Sequence, residues 1–311
     1  MSITVARRLP RFRRVSDQVS PIQITSRDLE IIRQISRHRF LRSTHVIALA
    51  GGSAQQVLRR LQRLYHLGYL ERPKCQIDYY HRTGSQRLVY GLARKGATVL
   101  ASLGGSEHRP IDWNEKNQHI GRPFLEHALL VSDFTVLLEL SCRSRNDVRF
   151  ITANELPLPS ATQKLGEPFR WGVTMPTGEK LGIVPDAVFA LDQTRAGGTI
   201  ERTFYFLEAD RATMPITRRG LKQTSFFRKL LAYEATWSHG LHRSRFGFHR
   251  FRVLTITSTS QRSTNLIAAS RKLRSGQGLF MFSDAAALSS AANALAMSWR
   301  TAINQTETLL R

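Results

Sequence analysis

Apolar positions recur at helical spacing between residues 53 and 69, where Ala54, Val57, Leu58, Leu61, Leu64 and Tyr65 form one stripe of the segment SAQQVLRRLQRLYHLGY. The opposite face carries Gln55, Gln56, Arg59, Arg60, Arg63 and His66. Ser53 followed by Gln56 three residues on has the form of a capping box, so the helix is predicted to begin there. Upstream, Thr25 and Asp28 are placed to cap a helix running to about Arg39, with Leu29, Ile32, Ile35 and Ser36 inside. Ser43 opens a short helix over 43–50, and Gly51-Gly52 supply the tight turn before the next. Downstream, 69–72 and 87–90 alternate like two strands, with Lys74, Tyr79, Tyr80, His81 and Arg82 between them as a basic wing. Residues 93–103 return to helical spacing. Three helices, a hairpin and a closing helix predict a winged helix-turn-helix domain over 21–104, preceded by a basic arm over 1–20.

Residues 104–122 are polar, aperiodic and glycine-containing, which places a linker at 105–122. Beyond it, 123–140 is a long helix whose buried side carries Leu125, Leu129, Val131, Phe134, Leu137 and Leu138. Strand-like runs follow at 148–156, 183–191 and 202–209, then a helix over 221–237 and a strand over 251–256. A helix and a short strand lead to about Phe282, and Ser283-Asp284 should cap a last helix reaching Trp299. The fold class expected is therefore α+β: a winged helix-turn-helix followed, over 123–311, by an α/β domain with a central mixed sheet.

Charge sharpens this picture. The chain has 46 Lys and Arg against 23 Asp and Glu, a formal net charge of +23, which calls for a polyanionic partner and salt-sensitive binding. Residues 1–110 hold 20 basic and 6 acidic residues and so carry +14 of it, leaving +9 for 111–311. Double-stranded DNA fits this charge better than a membrane, because no basic helix presents a broad aromatic face and no run approaches the ~18 apolar residues of a membrane span. The helix over 53–69 then reads as a recognition helix, with Gln55, Gln56 and Arg59 at the bases, Arg60, Arg63 and the wing residues Lys74 and Arg82 on phosphates, and Ser53 at the DNA-binding start of the helix. The same pattern also fits an amphipathic helix with a solvated basic face; the flanking elements favour DNA. Arg7 to Arg14 could follow a backbone or enter a minor groove, or serve as a solubilising tail. Cys75 and Cys142 lie far apart without a CxxC pair, which fits a reducing cytoplasm.

Candidate chemistry sits at two strand ends. In Val184-Pro185-Asp186-Ala187 an acid follows a proline as an apolar strand begins, and in Phe206-Leu207-Glu208-Ala209-Asp210 an apolar strand ends in two acids. Positions 208 and 210 of a strand share a face. If the two strands are neighbours, Asp186 joins them, and three crowded carboxylates call for a cation such as Mg²⁺ or Mn²⁺. The alternative is structural: Asp186 starts a strand, Glu208, Asp210 and Arg211 form a surface ion-pair cluster, and Lys229 is a solvated helix residue. His127 is either a site residue or a hydrogen-bonded boundary group.

Pro185-Asp186 and Glu208-Ala209-Asp210, in a helix, three strands, helix, strand order, resemble the PD-(D/E)xK signature of the restriction-endonuclease-like superfamily. Asp210 stands where that signature has lysine. The resemblance implies Asp186, Glu208 and Asp210 as metal ligands and catalytic residues, with Lys229, four before Tyr233 on one helix face, as a migrated lysine; Arg211 is a second candidate and Glu139 an additional acid. Across Thr25 to Tyr233 the motifs TSRDLEIIRQISRHRFLRSTHV, RRLQRLYHLGYLER, EHALLVSDF, VPDAVFAL, FYFLEADRAT and KLLAY resemble the replication-relaxation family of bacterial plasmids and integrated elements. That resemblance implies binding of element DNA in replication, relaxation or mobilisation, in a bacterial cytoplasm and associated with nucleoid or plasmid. Its motif often continues with glycine, threonine and an acid, where this chain has Arg211-Ala212-Thr213-Met214.

Two readings follow. In one, the protein marks duplex DNA, as a homodimer on a palindromic site, and recruits replication, relaxase or transposition proteins without a cofactor; a transcriptional repressor is chemically close to it. In the other, it is a Mg²⁺- or Mn²⁺-dependent endonuclease that nicks or cuts the DNA held by its winged helix.

Overall fold

A computed structural model describes residues 9–77, 87–103, 117, 119–220, 222–303 and 305–310. Among these residues ten α-helices accompany a seven-stranded mixed sheet, a three-stranded sheet and a two-stranded hairpin, a mixed α+β architecture. The chain divides into two compact units, 1–132 and 133–311. No helix among the described residues is long and apolar enough to cross a membrane.

In the first unit, helix α1 (Ser26–His38) starts at a reciprocal box. The Thr25 hydroxyl accepts from the Asp28 amide, and the Asp28 carboxylate accepts from the Thr25 amide at 2.8 Å. The helix ends at His38, where Arg39 takes φ 65°, and a strand not expected from the sequence follows, β1 (Phe40–Arg42). Three residues offer too little alternation to reveal a strand. Helix α2 (Ser43–Ala50) and helix α3 (Ala54–His66) flank Gly51 and Gly52, whose φ of 64° and 72° is open to glycine at little cost. Strand β2 (Leu70–Glu71) and strand β3 (Val89–Leu92) are antiparallel, and β3 also pairs with β1, giving the order β1-β3-β2. Helix α4 (Arg94–Ser102) follows. The long helix α5 (Arg122–Arg143) begins where the sequence placed it, and its residues up to Ser132 count with this unit. Leu125 and Leu129 pack on Phe40 and Val89, and the Ser132 hydroxyl donates to the Phe40 carbonyl at 2.8 Å.

The second unit is built on strand β4 (Val148–Thr152), helix α6 (Ser160–Gln163), the hairpin of β5 (Trp171–Thr174) and β6 (Lys180–Ile183), and the long strands β7 (Ala187–Thr194) and β8 (Ile200–Asp210). Helix α7 (Phe226–Ser238), helix α8 (Leu241–Ser244), strand β9 (Phe251–Thr257), helix α9 (Ser260–Ser270) and strand β10 (Phe280–Asp284) follow, then helix α10 (Ala285–Ser290), β11 (Trp299–Thr301) and β12 (Thr306–Glu307). Sheet order is β12-β11-β10-β9-β8-β7-β4. Strands β4, β7 and β8 form an antiparallel meander, and β8, β9 and β10 run parallel. Gly197 and Gly198, at φ 89° and 80°, turn β7 into β8, and Asp192 faces Arg202 across the pair at 2.6 Å, holding the register.

One sheet face, with Val188, Phe204, Phe206, Phe251, Val253 and Phe280, is covered by α7, α9 and the β5–β6 hairpin. Phe206 lies at its centre, with ring centroids 5.4 Å from Trp171, 5.5 Å from Tyr233 and 5.2 Å from Phe251. The other face meets the remainder of α5, where Phe134 touches Phe189 and Trp299. Two expectations are corrected. The run over 183–191 is two strands, because Val184-Pro185 interrupts it and proline has no N–H for a ladder. The last helix stops at Ser290: Asp284 caps it as expected, but Trp299, fully buried, belongs to β11 beside β10. Alanine-rich 285–297 reads as helix locally; burial of the indole decides against it.

Candidate functional site

Helix α3 begins at Ser53, whose hydroxyl accepts from the Gln56 amide, and buries Val57, Leu61, Leu64 and Tyr65. Each helical step turns the side chain by about 100°. Gln55, Leu58, Arg59 and Gln62 therefore share one row, of which Gln55, Leu58 and Arg59 are exposed, as are Ser53 and Gln56. Leu58 was expected in the buried stripe; it is 43% exposed, at the margin of the row. Arg59 has no partner among the described residues.

The neighbouring cations are committed inward. Arg60 places both ends of its guanidinium on the fully buried Asp28 carboxylate and donates to the Gln23 carbonyl at 2.9 Å. Burial opposes ionisation of Asp28, but hydrogen bonds from Arg60 and Thr25 hold its carboxyl below the ordinary value. Arg63 donates to the Ser20 carbonyl at 3.2 Å. Arg60, expected on phosphate, is therefore an internal ion-pair partner. His66, expected on the outer face, is fully buried; its Nδ1 accepts from the Val15 amide, and burial pushes its pKa down.

The described end of the basic arm is likewise fastened. Arg14 donates to the carbonyls of Tyr65 and Leu70 and, at 2.7 Å, to Glu71, while Arg72 donates to the Arg11 carbonyl at 2.7 Å. Lys74 is exposed at the start of a short 3-10 turn (Lys74–Gln76). Arg82, and the wing residues Tyr79, Tyr80 and His81, lie outside the described residues.

In the second unit, pairing of Ala187 with Leu207 sets Asp186 beside Glu208. One Asp186 oxygen accepts from the Ala209 amide at 2.8 Å. Glu208 is 1% exposed, and its oxygens receive Lys229 Nζ at 2.5 Å and the Tyr233 hydroxyl at 2.7 Å. Burial pushes the Glu208 carboxyl up, Lys229 offsets part of this, and the charge of Asp186 adds to the rise. Burial works against the Lys229 ammonium, but Glu208 and Asp186 outweigh it and keep it protonated. Burial also raises the Tyr233 pKa well above the ordinary phenol value, so it stays a donor.

Glu208 and Asp210 do share a face, and Lys229 senses the charges of Glu208, Asp186 and Asp210, but Asp210 has partners of its own. The Asp210 carboxylate receives the Arg262 guanidinium at 2.7 and 3.1 Å and the Thr257 hydroxyl at 2.9 Å. Neither Arg262 nor Thr257 stood out in the sequence, since both are distant from Asp210 along the chain. Glu139 accepts from Arg143 on its own helix at 2.6 Å, on α5 rather than on the face covered by α7 and α9. His127 is half-buried in the part of α5 that counts with the first unit.

The sequence raised Mg²⁺ or Mn²⁺ at these acids. Both Glu208 oxygens and both Asp210 oxygens are engaged by the protein's own donors, and no group of three His, Cys, Asp or Glu among the described residues could hold a metal ion. This donor arrangement does not fit a divalent cation: an ammonium and a guanidinium stand in its place.

These features define a two-unit α+β protein with an exposed polar helix face in one unit and an internally neutralised acidic strand end in the other. Residues 32–250 match the family described as replication-relaxation, more than half of the chain, and the chain belongs to that family. Membership connects it with replication or relaxation of a plasmid or mobile element. No curated protein and no solved structure matches the chain.

Proposed function

We propose that this is a DNA-binding protein of a plasmid or mobile element, which marks a duplex site and recruits replication, relaxase or transposition proteins. The first unit is read as a winged helix-turn-helix with α3 as recognition helix, and the second as a restriction-endonuclease-like scaffold. The observation carrying this is the exposed row of α3. Gln55, Gln56 and Arg59 have side chains suited to base edges, exposed and without side-chain partners among the described residues, on a helix held from behind by Asp28–Arg60. A homodimer on a palindromic site is the assembly it implies. The test is footprinting and competition binding on the element's flanking DNA with Gln55→Ala/Arg59→Ala. Lost preference for the protected site at unchanged folding supports the reading; an unchanged footprint removes α3 from recognition.

A metal-dependent endonuclease is the second reading. It is favoured by the helix, meander, helix, parallel-strand topology that brings Asp186, Glu208 and Lys229 together. It is disfavoured by the engaged oxygens of Glu208 and Asp210, which is why the non-catalytic reading is the conclusion. Incubating supercoiled plasmid with the protein and Mg²⁺ or Mn²⁺, beside Asp186→Ala and EDTA controls, separates the two. Nicking that Asp186→Ala abolishes would reverse the choice.

A further inference from the structure

The connection from β8 to α7, residues 211–225, has no role in the α3 reading. From Arg211 to Tyr233 the sequence holds six basic residues (Arg211, Arg218, Arg219, Lys222, Arg228 and Lys229) and no acid. The connection leaves the sheet at Asp210, on the edge where parallel β8, β9 and β10 all end, a usual location for ligands of such sheets. Its flanks are fastened. The Phe226 and Phe227 amides donate to the Pro215 and Ile216 carbonyls at 3.0 and 2.8 Å, and Arg262 donates to the Met214 carbonyl. Between these anchors Thr217, Arg218, Arg219, Gly220, Lys222 and Gln223 are exposed and line a shallow open groove. Arg218, Arg219 and Lys222 make no ion pair or hydrogen bond among the described residues; the half-buried Glu179 is the acid whose charge Lys222 senses. Elsewhere in this unit Arg145, Arg195, Arg202 and Arg262 are each matched to an acid, whereas Arg228, Arg243 and Arg274 are not paired among the described residues. Arg218 and Arg219, with Lys222 near the single charge of Glu179, leave this loop of a net positive region with an excess of exposed positive charge.

We infer that this loop is a second nucleic-acid contact, in which Arg218, Arg219 and Lys222 hold backbone phosphates without reading sequence. The inference rests on the reading of DNA as the ligand, but not on α3.

The test compares full-length wild type, Arg218→Ala/Arg219→Ala/Lys222→Ala and Gln55→Ala/Arg59→Ala. Anisotropy would follow binding to a random-sequence duplex, a single strand and the footprinted site between 50 and 200 mM salt. Each lost phosphate contact lowers the slope of log affinity against log salt by about 0.9 on duplex and about 0.7 on single strands. The loop variant is expected to lose roughly tenfold or more in random-sequence affinity and about 2 to 3 in duplex slope. It should keep the wild-type melting temperature and site preference. A loop variant with wild-type affinity and slope overturns the inference and leaves α3 untouched. A weakened loop variant beside an α3 variant of unchanged preference upholds the inference and overturns the α3 reading. Wild-type protein that binds none of the probes overturns both.

Discussion

Arg59 and Arg60 are adjacent cations on one helix, and the structure gives them different surroundings. Arg60 is 25% exposed through its side chain and pairs with an Asp28 carboxylate that is 0% exposed. Arg60→Ala leaves that carboxylate buried without its cation. Loss of one partner of a buried pair costs about 3–5 kcal/mol. Asp28 keeps the Thr25 amide and hydroxyl at 2.8 and 2.7 Å, so about 2–4 kcal/mol is the appropriate range here. For a unit of this size that lowers the melting temperature by roughly 10 °C. Arg59→Ala removes an exposed side chain without a partner among the described residues and should stay within about 0.5 kcal/mol of wild type in stability. It should instead weaken site-specific DNA binding by about 1–3 kcal/mol. Thermal unfolding by circular dichroism, read beside binding to the footprinted site, separates the two effects. Asp28→Asn in the Arg60→Ala background should add little further loss, because the pair is already broken, and the coupling energy measures it. An Arg60→Ala protein that melts like wild type while losing DNA affinity like Arg59→Ala would refute the assignment.

Three further outcomes follow from the same geometry. Lys229→Met strips Glu208 of its cation and should cost about 3 kcal/mol in urea unfolding, with Glu208→Gln in the same chain recovering part of it; additive losses would mean that the pair is not coupled. Asp28 has its carboxyl held below the ordinary 3.8, so its stabilisation is complete above about that pH and is lost as pH falls through the lower folded value. The acid limb of unfolding of the first unit should therefore be shallower in Asp28→Asn, and an unchanged limb would count against the pair. Gly96→Ala would ordinarily gain about 1 kcal/mol inside a helix. In α4 the new methyl would stand 2.4 Å from the Tyr69 carbonyl oxygen, so the sign should reverse to a loss of about 1–3 kcal/mol in unfolding free energy, read as a lowered denaturant midpoint.

The sequence by itself determined what depends on neighbours a few residues apart. The start of α3 at Ser53, the Thr25–Asp28 box, the glycine turn at 51–52, and the shared face of Glu208 and Asp210 all follow from local spacing. The tertiary structure alone decided which polar groups meet. Asp28 and Arg60 are 32 residues apart, Asp210 and Arg262 are 52 apart, and Glu208 and Lys229 are 21 apart. A carboxylate facing inward needs a counter-charge, but its identity depends on which helix covers the strand. For that reason spacing placed Glu208 and Asp210 on one face, but only the folded chain shows Lys229 on the first and Arg262 on the second. Likewise His66 passed from the outer face to the interior because residues near Val15 cover it, while Leu58 stays exposed because no described residue covers it. Periodicity reports which side of a helix is apolar; what lies against each side is a property of the folded chain.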